Sequence, residues 1–205
     1  MVSHPVPSHL NLDYVFKELS RLVPKHLFRG LDSIYVGQFS FLADRELNAM
    51  YKDGALFLTN EQDNESDMLD DLVHEVAHLV EDENRALIYS DKQVEREFLS
   101  KRRSLYHTLE EDKEMFQSYY PNYADFINPN YDRQFDAFLY KVIGYDNLAI
   151  ITANLFYSPY GATSLREYFA NGFEAYFFHR DASRVKSISP FLYKKITDLE
   201  VLDEN

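Results

Sequence analysis

The sequence predicts an α+β fold that is rich in helices, with a small mixed sheet before its most distinctive helix. Two short β-like runs, SIYVGQF at 33–39 and ALFLT at 55–59, lie in the first third of the chain. Most of the remaining sequence has apolar residues at helical spacing. The chain has 205 residues, of which 45% are hydrophobic, which is enough for one sizeable core. We therefore expect a single domain over residues 1–205.

Each element in the first half of the chain has its own local signal. A helix is predicted at about 10–23, where a proline ends it. The two strands follow, and the second is entered through Asp53-Gly54, a turn pair. The polar run NEQDNESD then supplies possible N-caps for a helix at about 67–83. The predicted order is strand, acidic loop and helix.

The second half is predicted to be almost entirely helical. Helical patterning extends over about 91–157 and is interrupted by the loop YYPNYADFINPNYD. The break YSPYGATS at 157–164 precedes a well-patterned helix, LREYFANGFEAYFFHR, and another short helix follows Pro190.

Composition excludes several classes of site and partner. The absence of cysteine excludes disulfides, thiolate metal sites and cysteine nucleophiles, so a metal must be held by His, Asp or Glu. The net charge of −13 argues against nucleic acid as a partner. Lys101, Arg102 and Arg103 form a basic cluster, but it stands among alternating charges that are typical of a solvated helix face.

The chain carries no sign of membrane insertion or export. No apolar run approaches the roughly 20 residues that span a bilayer, and the N-terminal residues lack the basic region and apolar core of a secretory signal. We expect a protein that is cytoplasmic as synthesised. This fits an intracellular or virus-encoded enzyme, or a toxin delivered by a dedicated route. The oligomeric state stays open.

The segment DMLDDLVHEVAH, at 67–78, carries the strongest chemical signal. Its helix has a core-facing apolar stripe, and His74 and His78 project from the opposite side. Their four-residue spacing lets two imidazole nitrogens reach one zinc ion (Zn2+). Glu75 is offset from them, as suits a carboxylate that accepts a proton from water and does not bind the metal. The HExxH pattern therefore predicts half of a zinc site, which needs a third ligand.

The helix after YSPYGATS is the best source of the third ligand. Its apolar stripe leaves Glu167, Asn171 and Glu174 together on the other face. Periodicity does not choose between Glu167 and Glu174. Asn171 is a candidate to hydrogen-bond a ligand, and Asp71, one turn before His74, is a candidate to orient an imidazole. Asp71 would equally stabilise the helix dipole from its first turn.

The two segments HEVAH and YGATSLREYFANGFEAYF together resemble the anthrax-lethal-factor-like zinc peptidases, a gluzincin group that also includes Pro-Pro endopeptidases. The resemblance implies a zincin-like metallopeptidase domain with His74, His78 and Glu167 as zinc ligands. It also implies that Glu75 is the general base and that Tyr160 points at the substrate carbonyl. In peptidases of this fold an extended substrate lies along an edge strand before the active-site helix.

We therefore expect a zinc-dependent endopeptidase that acts on a protein or peptide. The expected substrate strand is ALFLT, which comprises Ala55, Leu56, Phe57, Leu58 and Thr59. The resemblance also implies that residues from about 91 to 150 are a helical insertion, which would cover the cleft or recognise a protein partner. Two alternatives stay open. One is a zinc-stabilised binding or structural module without peptidase activity, and the other is a zinc hydrolase that acts on a non-peptide bond.

Overall fold

The computed structural model describes residues 1–2, 4–111, 113–116 and 119–202. The protein is 61% helical and has a small mixed sheet of three strands among the described residues, which confirms the predicted α+β class. Residues 112, 117 and 118 of the predicted insertion lie outside the described residues. Within the described part of the chain, no helix has the length and apolar character needed to cross a membrane.

The first half of the chain forms one helix and the sheet. Helix α1 spans Leu12–Leu22 and is capped by the side chain of Asn11, which accepts a hydrogen bond from the backbone N–H of Tyr14. Strands β1, β2 and β3 span Ser33–Gly37, Ala49–Lys52 and Ala55–Thr59. A short helix α2, Ser40–Ala43, lies between β1 and β2.

The strand predicted to lie at the edge of the sheet, Ala55–Thr59, is instead its centre. The strand order is β1-β3-β2, with β1 parallel and β2 antiparallel to β3. The prediction was wrong because it overlooked β2, a strand of four residues. The outer side of β1 is bridged by Val2, whereas β2 borders the HExxH helix.

A two-residue turn explains why β2 forms. Lys52 pairs with Ala55, so Asp53 and Gly54 alone connect β2 to β3. Both have positive φ, 49° at Asp53 and 80° at Gly54, which is the conformation of a type I′ hairpin turn. The Asp-Gly pair is a strong hairpin signal when strands flank it on both sides. The sequence therefore contained the signal for β2, in the residues just before the turn.

Helix α3 carries the histidine motif and spans Glu65–Glu83. Its N-cap is Asn64, whose side chain accepts from the backbone N–H groups of Ser66 and Asp67. The predicted core stripe is fully or almost fully buried, and it consists of Leu69, Leu72, Val73, Val76 and Val80. The opposite face is largely covered as well, because a second long helix packs against it.

The remaining helices are numbered in chain order. Helix α4 is Arg85–Tyr89, α5 is Gln93–Glu110, α6 is Tyr123–Phe126, α7 is Arg133–Ala137, α8 is Tyr145–Ile151, α9 is Leu165–Phe177, α10 is Ala182–Ile188 and α11 is Pro190–Glu200. A π-helical turn, Phe138–Ile143, joins α7 to α8. A 3₁₀ turn, Pro159–Ala162, precedes α9. The buried apolar side chains of α1, the sheet, α3, α5, α9 and α11 belong to one hydrophobic cluster.

The basic cluster of α5 is not the solvated surface that the charge pattern predicted. Lys101 is 7% exposed and Arg102 is 1% exposed, whereas Arg103 lies in solvent. Lys101 donates to the main-chain oxygens of Leu155 and Ile188. The prediction of a solvated face was wrong because these two buried cations pair with main-chain carbonyls, whose positions a pattern of side-chain charges does not indicate.

We expect the hairpin turn to be sensitive to substitution at Gly54 and tolerant at Asp53. An alanine at position 54 would have to adopt φ 80°, which L-residues rarely do. Its Cβ would lie 3.1 Å from the carbonyl oxygen of Gly30. Gly54→Ala should therefore lower the free energy of unfolding by about 1–2 kcal/mol. Asp53→Gly should change it by less than about 0.5 kcal/mol, because glycine adopts positive φ freely. Urea denaturation measures both, and equal losses would contradict the assigned turn.

Candidate metal centre and active site

Helices α3 and α9 lie antiparallel and exchange polar contacts along their length. His179, just beyond α9, is near Asp70 at one end, and Arg166 contacts Asp82 at the other. Between these ends, His74 faces α9. The Ser164 side chain caps α9 by accepting from the backbone N–H of Glu167 at 3.1 Å. This cap fixes the first turn of α9, from which the Glu167 side chain reaches α3.

The two histidines converge on Glu167. His74 Nε2 lies 3.1 Å from Glu167 Oε2, and His78 Nε2 lies 3.6 Å from Glu167 Oε1. Potential ligand atoms of His74, Glu75 and His78 lie within 4.8 Å of one another, which makes these residues a group that could hold a metal ion. The structure thus brings His74, Glu75, His78 and Glu167 together, although α9 follows α3 by more than eighty residues.

Glu174 contacts His74 from the other side of the ring. Its Oε2 lies 3.1 Å from His74 Nδ1, and its Oε1 lies 3.2 Å from His179 Nε2. Periodicity had left Glu167 and Glu174 equivalent, but only Glu167 faces the Nε2 atoms of both histidines. A carboxylate on Nδ1 fixes the tautomer and orientation of an imidazole that binds a metal through Nε2. Glu174 therefore has the geometry of an orienting group.

Burial and charge act in opposite directions on this cluster. Burial disfavours protonation of His74, but hydrogen bonds with Glu167 and Glu174 outweigh it and raise the pKa of His74 to about 10. Burial also disfavours the charged Glu167 carboxylate, yet its hydrogen bond with His74 and the nearby imidazole of His78 lower the pKa of Glu167. The carboxylates of Glu167 and Glu174 thus favour a positive charge at the position of the His74 ring between them.

Glu75 binds the free edge of the sheet. Its Oε2 accepts a hydrogen bond from the backbone N–H of Tyr51 at 2.5 Å. The carbonyl of Asn48 accepts from Thr59, so alternate residues of β2 point their main-chain groups toward β3. Ala49 and Tyr51 therefore point theirs away from β3. The carboxylate of Glu75 thus lies against the outer edge of β2, the side that faces away from β3.

Tyr160 lies beside His74, on the 3₁₀ turn that leads into α9. The two ring centroids are 6.2 Å apart. Burial and the neighbouring Glu167 carboxylate raise the pKa of Tyr160 well above its usual value, so its hydroxyl keeps its proton. Tyr160 is therefore a potential hydrogen-bond donor next to the cluster.

Two predicted orienting residues have hydrogen-bond partners outside the cluster. Asn171 is buried, and its Oδ1 accepts a hydrogen bond from the Ser158 hydroxyl, so it holds the loop before Tyr160. Asp71 accepts from Gln62 at 2.8 Å, while Glu167 and Glu174 occupy the two nitrogens of His74. The prediction that Asp71 orients an imidazole is therefore wrong, because helical spacing does not show which neighbouring chain a side chain meets. The role of Asn171 toward a ligand stays a prediction.

Arg102 supports the Tyr160 turn from behind. Its guanidinium donates to the carbonyls of Ala162 and Thr163, and at 2.8 Å to the carbonyl of Asp125. It also lies 3.8 Å from the centroid of the Phe135 ring. A helix of the predicted insertion therefore fixes the turn between Tyr160 and the start of α9. The sequence gave Arg102 no functional signal, because its partners are main-chain atoms distant along the chain.

The donor set fits a zinc ion. Two imidazoles and one carboxylate form a set that catalytic zinc sites use, and thiolates are absent from the chain. All three side chains are at most 17% exposed, and the Glu174 carboxylate supports His74 in the way that metal-binding histidines require. No protein-family model, curated protein or solved structure matches the chain.

We expect Arg102 to be needed for stability. Arg102→Met leaves the carbonyls of Ala162, Thr163 and Asp125 buried without their charged donor, so the free energy of unfolding should fall by at least about 2 kcal/mol. Arg103→Met is the matched control, because Arg103 is the exposed neighbour on the same helix. It should change the free energy by less than about 0.5 kcal/mol. Chemical denaturation of both variants tests this difference, and equal effects would contradict it.

The ion pair between His74 and Glu174 should be visible in the pH dependence of stability in a chelator. The pKa of His74 is raised from 6.5 to about 10, so its stabilisation is complete below pH 6.5 and is lost as the pH rises through about 10. Glu174→Gln should lower the free energy of unfolding by about 2 kcal/mol at pH 6.5. The difference in the free energy of unfolding between wild type and Glu174→Gln should shrink toward pH 10. A difference independent of pH would contradict the ion pair.

Proposed function

We propose that the protein is a zinc-dependent endopeptidase. The observation that carries the proposal is the convergence of His74, His78 and Glu167, with Glu75 beside them. Isolated HExxH sequences arise by chance, but a chance motif does not explain a carboxylate from a separate helix that meets both imidazoles. The backbone contact of Glu75 and the protonated hydroxyl of Tyr160 add groups that suit peptide hydrolysis.

His74, His78 and Glu167 would hold the zinc ion. When bound, zinc supplies Lewis acidity that polarises a carbonyl and makes a water molecule more acidic. The chain's own residues then have separate tasks. Glu75, whose Oε2 is anchored by the Tyr51 N–H, accepts a proton from water and passes it to the leaving amine. Tyr160 donates a hydrogen bond to the oxygen that becomes negative in the transition state.

The free edge of β2 is the proposed binding site for the peptide backbone. We propose that the peptide pairs with the main-chain groups that Ala49 and Tyr51 turn away from β3, except for the N–H of Tyr51, which is engaged by Glu75. An extended peptide can pair with such an edge as an added strand. This proposal replaces the earlier expectation for β3, which has strands on both sides and no free edge.

The decisive comparison is between wild type and Glu75→Gln. We expect each to bind about one zinc ion, because Glu75 is not among the proposed ligands. Only wild type should cleave a diverse peptide library read by mass spectrometry, with Glu75→Gln at least about 100-fold slower. Glu83→Gln is the matched control, because it removes the same charge from an exposed position on α3. It should cleave like wild type.

Two outcomes would contradict the proposal. If wild type binds no zinc, the metal site fails as a whole. If wild type binds zinc but neither it nor Glu83→Gln cleaves the library, the endopeptidase assignment fails and a zinc-stabilised binding module becomes the better explanation. Cleavage by Glu75→Gln at the wild-type rate would remove Glu75 from the mechanism.

A further inference from the structure

Glu81 is a buried acid that the proposed chemistry does not use. It lies on α3 one turn after His78, and its side chain is only 3% exposed. Its Oε1 accepts a hydrogen bond from the Tyr89 hydroxyl at 2.7 Å. Its Oε2 is buried and has no hydrogen-bond partner. An unsatisfied buried carboxylate oxygen is costly, so this atom requires an explanation.

Two side chains near Glu81 Oε2 carry N–H groups, His78 and Arg166. His78 Nδ1 lies 3.9 Å away and Arg166 Nε lies 3.7 Å away, and both distances are too long for hydrogen bonds. Instead, Arg166 Nε–H donates to His78 Nδ1 at 3.1 Å. Both possible donors to Glu81 are therefore turned toward each other.

The Arg166 contact determines which His78 tautomer is present. Because Nδ1 accepts a hydrogen bond from Arg166, the proton of the neutral ring must lie on Nε2. However, Nε2 is the nitrogen that faces Glu167, and a nitrogen that binds a metal must carry no proton. Metal binding through Nε2 therefore moves the ring proton to Nδ1. There it would oppose the Arg166 N–H, since both groups would be donors.

We infer that Glu81 is the positioning residue for His78: its buried Oε2 accepts the Nδ1 proton when His78 binds metal, and Arg166 is displaced from the ring. The inference rests on the proposed zinc site. It gives each histidine its own carboxylate, with Glu174 behind His74 and Glu81 behind His78. The Tyr89 hydroxyl holds the other oxygen of Glu81, which limits the carboxylate to a small rotation.

The surroundings of Arg166 permit this displacement. Its side chain is 39% exposed and already contacts Asp82, with Nη1 3.3 Å from Oδ1. A cavity of about 420 Å³ adjoins Arg166 and Glu81 and is lined by Glu95 among other residues. The side chain can thus leave His78 and keep a carboxylate partner. Glu81, in contrast, is enclosed and stays beside the ring.

Zinc affinity, measured at constant pH by competition with a fluorescent chelator, tests the role of Glu81. Glu81→Gln should weaken zinc binding by about 10-fold or more, as removal of a histidine's carboxylate partner does. The matched control Glu83→Gln removes the same charge from the exposed surface of α3, and its affinity should stay within about twofold of wild type. Equal affinities for wild type and Glu81→Gln, or equal losses in both variants, would overturn the inference.

Arg166→Gln is expected to change zinc affinity in the opposite direction. This variant also tests the inference if Glu81→Gln does not fold. Removing the competing donor should tighten zinc binding, whereas Arg85→Gln, which removes another charge that contacts Asp82, should have a smaller effect. Weaker zinc binding by Arg166→Gln would overturn the inference.

Nitrogen-15 NMR of the His78 ring reads the tautomer directly in wild type. The proton should lie on Nε2 in chelator and on Nδ1 with zinc, and an unprotonated Nδ1 with zinc would overturn the inference. If wild type binds no zinc at all, the proposed function and this inference both fail. If wild type binds zinc and Glu81→Gln binds it equally well, only the inference fails.

Discussion

The contact between α3 and α9 is the interaction on which the candidate site depends. It places two imidazoles and several carboxylates between helices whose other faces supply the core, through Leu72 and Val76 on α3 and Phe169 and Phe173 on α9. Buried ionic groups contribute little net stability, because desolvation offsets their attraction. The apolar faces must therefore supply the free energy that holds the polar groups together. The presence of the polar groups is best explained by a functional role.

The site is reinforced from three directions. Strand β2 approaches Glu75 from the sheet, and the side chain of Asn64 caps α3, the helix that carries Glu75. The 3₁₀ turn with Tyr160 approaches from the far side of His74 and is held by Arg102 through main-chain carbonyls. Because α5 supplies Arg102, the region that resembles an insertion in sequence is part of the support for the site. Its removal would release the turn that positions Tyr160.

Hydrogen-bond partners on the far nitrogens of the histidines distinguish this site from a simple cluster of charges. His74 has a carboxylate at each nitrogen, whereas His78 has Glu167 on one side and Arg166 on the other. The two rings are therefore not equivalent. The asymmetry, together with the unsatisfied oxygen of Glu81, is what suggests that one ring changes its partner when metal binds.

Local periodicity and capping signals were enough to predict the α+β class, the limits of α1 and α3 to within about two residues, and the buried stripe of α3. The sequence also identified His74, Glu75 and His78, whose spacing is local. Tertiary structure decided that β2 is the free edge, that Glu167 faces both rings while Glu174 stands behind His74, and that Arg102 is buried. These facts depend on contacts between residues far apart in sequence, which helical or strand periodicity cannot encode.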